Sequence, residues 1–461
     1  MPPRLIDRAN EIEQLRRLAA APSALVILSG RRRVGKSFLL RAALDGERVI
    51  GFQAEQEPLA LQLATFAREC ARILPGSPPL AFASWDDAFS FLDAQAQQAP
   101  LVCVLDEFQY LAQMAPALPS QVQKWWDRWD HNEIPAMLVL SGSALSFMAG
   151  LLKGSEGTPG RAGFRPVLQP LCLQDAAQFA PTGSTPIELI ERYAVLGGTP
   201  QYQRWAGDRP LGEVIRDVIL PIGAPLHRDP EQLIREEADI RAPGPYFGVM
   251  RGIAEGRTTA TELGSRLALE RQLVDVYLGR LRELGYIDKV VPVAPGGKGS
   301  PRGYWNISDP FFRFWFTFVF PNSSRLARGR VSEVATEIEL QLPSFVGHVF
   351  EDVCRDWIGR RSPLGASADD VGCWWNRKSE VEVDVVTVDG KGYTLLGSCK
   401  WWNRPAGENV LDDLLAGRAA IGPNANQAEL AVFSKLGCNE QLTERATRTG
   451  VHLFAPGDLF A

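Results

Sequence analysis

The chain is poor in the residues that build metal centres and covalent frameworks. Its 461 residues include only four histidines, spread far apart, which argues against histidine-based metal chemistry. Seven cysteines are scattered without a C-x-x-C pair, which fits reduced, mostly buried thiols rather than a zinc site or a disulfide framework. No apolar run approaches the ~18 residues needed to span a bilayer. The densest candidate, FFRFWFTFVF at 311–320, is shorter and carries Arg313. The opening MPPRLIDRANEIEQLRRL lacks the apolar centre of a signal peptide, so the expected location is the cytoplasm, with no membrane partner. Internal repeats and long low-complexity linkers are also missing.

What is present is ordinary globular composition, 45% hydrophobic and 22% charged. A chain of 461 residues is long for one hydrophobic core, so several domains are expected. The net charge of −5 predicts no general affinity for nucleic acid. The charge is uneven, however: residues 246–330 carry 13 Lys/Arg against 7 Asp/Glu. A local excess of that kind can bind phosphates even in an acidic chain.

The expected fold class is multidomain α/β. Four continuous apolar runs, ALVILS (24–29), VIGFQ (49–53), LVCVLD (101–106) and AMLVLSG (136–142), alternate with helical stretches. That alternation predicts a parallel sheet whose strands are buried on both faces. The boundaries predicted are a core at 1–165, a helical segment at 166–242, a third domain at 243–330 and a second α/β unit at 331–461.

The stretch ALVILSGRRRVGKSFLLRAAL satisfies each position of a Walker A pattern: strand, Gly30, four residues, Gly35-Lys36-Ser37, then helix. The glycines let successive backbone N–H groups turn toward one anion. Lys36 reaches the β- and γ-phosphates, and Ser37 offers a hydroxyl to Mg²⁺. The helix adds its positive N-terminal end. Val34 and Phe38 complete the residues expected at the nucleotide, and Arg31–Arg33 read as facing solvent or a partner. LVCVLDEFQYL reads as Walker B, delivering Asp106 to the metal and Glu107 to a water in line with the γ-phosphate. In LVLSGSALSF, Ser141 or Ser143 either senses the γ-phosphate or simply caps the following helix.

Taken together, LIDRANEIEQL, GRRRVGKS, LDEFQYL, LSGSALSFM, GTPGRAGFRP and LGGTPQY resemble the archaeal-type ATPase family, found also in bacteria. That family lies among the AAA-like, signal-transducing P-loop ATPases with numerous domains. The resemblance continues through GYWNISDPFFRFWF, GHVFEDVCRDWI and LLGSCKWW, so it spans nearly the whole chain. It implies ATP as the nucleotide, with Gly30, Gly35, Lys36 and Ser37 on phosphate, Asp106 on Mg²⁺ and Glu107 activating water. It further implies a basic residue near the γ-phosphate at Arg161, which residue chemistry alone reads as a surface arginine. The turn Gly197–Pro200 resembles an element of a helical lid.

The basic segment 246–308 reads as a winged helix-turn-helix. Leu273, Val276, Tyr277, Leu281 and Leu284 supply its apolar face, Arg271, Arg280 and Arg282 point outward, and Lys298 and Arg302 lie in the wing. It serves either DNA or protein docking. The segments GHVFEDVCRDWI, EVEVDVVTVDG and YTLLGSCKWW resemble a restriction-endonuclease-like fold, with Glu351, Asp384 and Lys400 at its metal site. The second acid expected there is Ser398, a weak neutral ligand. Catalysis is thus in doubt, with Glu380 or Glu382 the nearest substitutes. WWNR and CKWW set tryptophans beside cations, which suits nucleic-acid stacking or packing under a sheet edge.

The function expected is an ATP-binding, slowly hydrolysing regulatory switch contacting DNA through residues 246–330 and the C-terminal domain, with homo-oligomerisation left open. The alternatives are an ATP-gated, Mg²⁺-dependent DNA endonuclease and a protein-docking scaffold ATPase.

Overall fold

The structure, a computed structural model, describes residues 6–74, 80–151, 163–237, 242–297, 303–361, 368–376 and 380–461. The chain forms two compact units, Met1–Pro170 and Leu171–Ala461.

In the first unit, strands β1 (Ser23–Gly30), β2 (Val49–Gln53), β3 (Leu101–Asp106), β4 (Ala136–Gly142) and β5 (Val167–Leu168) form one sheet in the order β2-β3-β4-β1-β5. All its pairings are parallel. Alternate residues of the strands feed two different cores. Leu25, Ile27, Leu105 and Leu138 pack on one face with Phe66, Phe89 and Trp129, while Val26, Leu28, Val104 and Val139 pack on the other with Leu15 and Leu39. Burial on both faces explains the unbroken apolar runs of β1, β3 and β4. β2 departs from that expectation. It lies at the sheet edge, and its Gly51 and Gln53 are exposed.

The second unit begins with helices, the clearest being Pro186–Leu196, which Thr185 and Glu188 open with a capping box. The turn after it shows why two glycines stand there. Gly197 has φ +63°, and a Cβ at Gly198 would lie 1.9 Å from the Leu171 carbonyl oxygen. Helices Gly244–Ala254, Ala260–Leu267 and Arg271–Glu283 follow, then an antiparallel hairpin of β6 (Ile287–Val290) and β7 (Tyr304–Ile307).

In the third of these helices the buried stripe is Val274, Leu278 and Leu281. Leu273 and Val276, expected on the apolar face, are exposed. Leu281 and Leu284 are buried and Tyr277 packs against the core as expected, so the spacing gave the right period but set the face too far toward Leu273 and Val276. Arg271 and Arg282 are exposed as expected, whereas Arg280 is half-buried and paired with Glu283 at 3.0 Å. Lys298 and Arg302 lie outside the described residues.

The aromatic run folds inward, with Phe311, Phe312, Phe314, Trp315 and Phe316 buried, and helix Val331–Arg361 follows. The second sheet has the order β12-β11-β10-β9-β8, with β8 (Asp370–Trp375), β9 (Glu382–Val388), β10 (Tyr393–Lys400), β11 (Glu429–Ser434) and β12 (His452–Phe454). It is mixed: β8, β9 and β10 pair antiparallel, while β10, β11 and β12 pair parallel. Phe350, Cys354 and Trp357 of the long helix join Val385 and Phe433 of the sheet in one core, and Val410 and Leu414 of helix Glu408–Ile421 join Val386 and Leu396 in another. All seven cysteine thiols are unpaired and six are buried, as expected. Among the described residues no helix is long and apolar enough to cross a membrane.

Candidate functional site

The loop 30–36 sits at the C-terminal end of β1, where open parallel sheets place their ligands. Its backbone follows from its glycines. Gly30 (φ +158°) packs so tightly that a Cβ would meet the Leu168 carbonyl oxygen at 2.9 Å and Val34 at 3.1 Å. Gly35 has open space around it, but its φ of +102° favours glycine. Between them Arg33 also has positive φ, at 66°. Val34 is buried and anchors the loop in the core below β1, and Phe38 is half-buried on the helix Lys36–Ala43. Arg31–Arg33 are half-buried rather than solvent-facing, and Arg32 donates to the Tyr110 hydroxyl at 2.6 Å.

Lys36 is the first residue of that helix, and its ammonium bends back over the loop. It donates to the Gly30 carbonyl at 2.8 Å and the Arg31 carbonyl at 3.2 Å. Ser37 donates from Oγ to Asp106 Oδ2 at 2.9 Å, joining the helix start to the end of β3. These two hard oxygen donors, side by side at the loop, fit a Mg²⁺ ion. A cleft of about 590 Å³ opens beside them, lined also by Gln53 and Arg41, within the size range of small-molecule sites.

Glu107 follows in a left-handed conformation, φ 54° and ψ 45°, uncommon for a residue with a side chain. Its Oε2 accepts the Ser143 hydroxyl at 2.8 Å and the Gln109 amide. Gln109 in turn donates to Ser143 Oγ at 3.3 Å. Ser141 behaves differently: its hydroxyl is fully buried without a hydrogen-bond partner among the described residues. Of the two serines, Ser143 is therefore the one at the acidic pair. Gln109 was missed in the sequence, although it stands two residues after Glu107. Gly142 makes room for it, because a Cβ there would lie 2.7 Å from Gln109 Oε1. Arg161 lies outside the described residues.

A second polar cluster occupies the other unit. Asp384 on β9 accepts at Oδ2 from the Cys399 backbone N–H at 2.7 Å, Ser398 Oγ at 3.2 Å and Lys400 Nζ at 3.4 Å. Arg355 donates to the Asp384 carbonyl. Glu351, on the long helix, lines one cleft with Lys400. Burial, and then the neighbouring Asp384 charge, push its carboxyl up to about 8. Glu382 is exposed at the start of β9. Among the described residues no group of three or more His, Cys, Asp or Glu is placed to hold a metal.

Residues 315–410 match a family described as archaea bacterial proteins of unknown function. The matched segment contains Glu351, Asp384 and Lys400. An uncharacterized protein of Methanocaldococcus jannaschii is 25% identical over 401 residues, 86% of this chain and 87% of that protein. Among solved structures, the Walker-type ATPase of Pyrococcus abyssi is similar at 20% identity and a TM-score of 0.49, covering 68% of this chain and 96% of that one. The Aeropyrum pernix ORC2 protein is similar at 14% identity and a TM-score of 0.43, covering 72% and 96%.

The parallel sheet and its loop define the class of fold: the first unit has the architecture of a P-loop ATPase core, and a separate mixed-sheet unit follows it.

Proposed function

We propose that this chain is an ATP-binding regulatory switch that hydrolyses ATP slowly and couples nucleotide state to DNA contact by its second unit. The observation that carries the reading is the Ser37–Asp106 hydrogen bond beside the Lys36-bearing loop. Lys36 leaves the Gly30 and Arg31 carbonyls to bind the β- and γ-phosphates, and the loop N–H groups cradle them. Ser37 and Asp106 would hold Mg²⁺, which when bound supplies neutralisation of phosphate charge. Glu107 orients the attacking water and takes its proton. Slow turnover follows from the resting arrangement, in which Glu107 Oε2 is already engaged by Ser143 and Gln109.

The three helices and hairpin at 244–307 support a winged-helix reading. Arg271, 73% exposed and paired only loosely with Asp275 at 3.7 Å, is free to exchange that partner for a phosphate. The endonuclease alternative is disfavoured, because Ser398 replaces a carboxylate and Asp384 Oδ2 already accepts three donors. Plasmid DNA should stay uncut in Mg²⁺ or Mn²⁺ with ATP.

Calorimetry tests the nucleotide site. Lys36→Ala should abolish ATP binding, whereas Glu107→Gln should bind ATP and lose at least tenfold in turnover, the low end of ~10²–10⁴ for general-base catalysis being softened by slow wild-type chemistry. Unchanged ATP affinity in Lys36→Ala would sink the assignment.

A further inference from the structure

After Lys400 the chain continues as Trp401-Trp402-Asn403-Arg404 along a cleft of about 690 Å³, which Ser344, His348 and Glu351 of the long helix also line. The two tryptophans differ. Trp401 is an anchor, 6% exposed, with its ring centroid 4.8 Å from Phe350 and the Lys435 ammonium at 5.0 Å. Its indole N–H is buried without an acceptor among the described residues. Trp402 stays half-exposed, with Lys400 Nζ 5.8 Å and the Arg404 guanidinium 5.1 Å from its ring.

The acid lining the cleft is Glu351, and no metal-binding cluster of His, Cys, Asp or Glu exists among the described residues. Asp384, outside the lining, has Oδ2 engaged by Cys399, Ser398 and Lys400. What the cleft offers a ligand is a half-exposed aromatic ring with two cations over it, of which Lys400 also contacts Asp384 at 3.4 Å. The complement is a planar group bearing phosphate. Bases stack face-on on an aromatic side chain when unpaired, which favours a single strand over a duplex. Two cations for one plate match a base with phosphate on both its 5′ and 3′ sides, which a strand has and a mononucleotide lacks.

We propose that the Trp402 cleft binds single-stranded nucleic acid, base on Trp402 and phosphates on Lys400 and Arg404, without a divalent metal ion. The site is independent of the ATP loop and of residues 246–330, so its failure leaves the reading above intact.

The test is fluorescence anisotropy of labelled oligothymidylate with the full chain in EDTA at low salt. Wild type should bind, and duplex or thymidine monophosphate should compete poorly. Trp402→Ala should weaken binding about five- to 150-fold, the range for losing one stacked base. Trp402→Phe should keep most of the affinity, and Arg404→Ala should lower the salt slope by about one. ATP binding and the circular dichroism spectrum should be unchanged in each variant. If Trp402→Ala does not fold, the exposed Arg404 carries the test. No binding in EDTA, equal competition by the monophosphate or duplex, or wild-type affinity in both Trp402→Ala and Arg404→Ala would overturn the proposal.

Discussion

Asp352 holds a guanidinium on each of its carboxylate oxygens: Arg313 donates to Oδ2 at 3.0 Å and Arg355 to Oδ1 at 2.6 Å. Arg313 comes from the aromatic run and also reaches Asn306 and the Ile307 carbonyl at the end of the hairpin. Arg355 reaches the Asp384 carbonyl on β9. One carboxylate thus ties hairpin, long helix and second sheet together. Burial opposes its ionised form, but the two guanidiniums outweigh that and hold it below the usual carboxylate range. Asp352→Asn should cost roughly 1–3 kcal/mol, below the ~3–5 of a fully buried pair because the group is half-exposed. A thermal melt reads the loss, and a wild-type melting temperature would show that the bracket contributes nothing.

Gln109 and Ser143 both hold Glu107 in its resting position. Gln109→Met removes one donor while keeping most of the buried volume. The expected outcome is a basal ATPase rate several-fold above wild type with ATP affinity unchanged. A rate equal to or below wild type would mean that Gln109 does not restrain the acid.

Two glycines should respond in opposite directions to alanine. At Gly198 the new Cβ would stand 1.9 Å from the Leu171 carbonyl oxygen, backbone that cannot step aside. Gly198→Ala should therefore destabilise by about 3 kcal/mol or more. Gly279, in the helix Arg271–Glu283, has nothing within 4 Å of its Cβ position. Gly279→Ala should stabilise by about 0.5–1 kcal/mol through lower unfolded-state entropy. Urea unfolding of both variants checks the contrast.

His227 is 6% exposed, with Nδ1 3.2 Å from the Ile219 carbonyl, and its own carbonyl accepts the Trp315 indole at 2.7 Å. Burial holds its pKa below the ordinary value of 6.5; the Ile219 and Leu220 carbonyls work the other way but do not prevail. A histidine depressed in the folded state is protonated first in the unfolded chain, so its contribution is present above about pH 6.5 and is lost as pH falls below it. Between pH 7.5 and 5, wild type should lose more stability than His227→Gln. Parallel loss in the two proteins would show that His227 does not titrate in this way.

How much of this was legible in the sequence depends on the distance over which each feature is specified. The four strands read from the sequence, of the five in the first sheet, matched their apolar runs closely; in β1, β3 and β4 burial on both faces leaves a signal within each run, whereas the edge strand β2 buries only alternate residues. The loop 30–37 was legible for a similar reason, since its glycines, lysine and serine are neighbours in sequence. The edge of the buried face of helix Arg271–Glu283 was not. Tyr277, Leu281 and Leu284 pack inward as read, but Leu273 and Val276 are exposed while Val274 and Leu278 are buried, because which face packs depends on the two helices before it.

The sequence by itself determined the parallel core, the loop and the acids at the end of β3, because strand burial and backbone turns follow from residues within a few positions of each other. Only the tertiary structure decided that Ser143 rather than Ser141 meets Glu107, that Gly198 lies against Leu171, that Asp352 joins Arg313 to Arg355, and that Trp402 lies half-exposed at the cleft while Trp401 is buried. Each of these depends on where side chains or backbone finally pack, often between residues some thirty positions apart, and no local propensity encodes that.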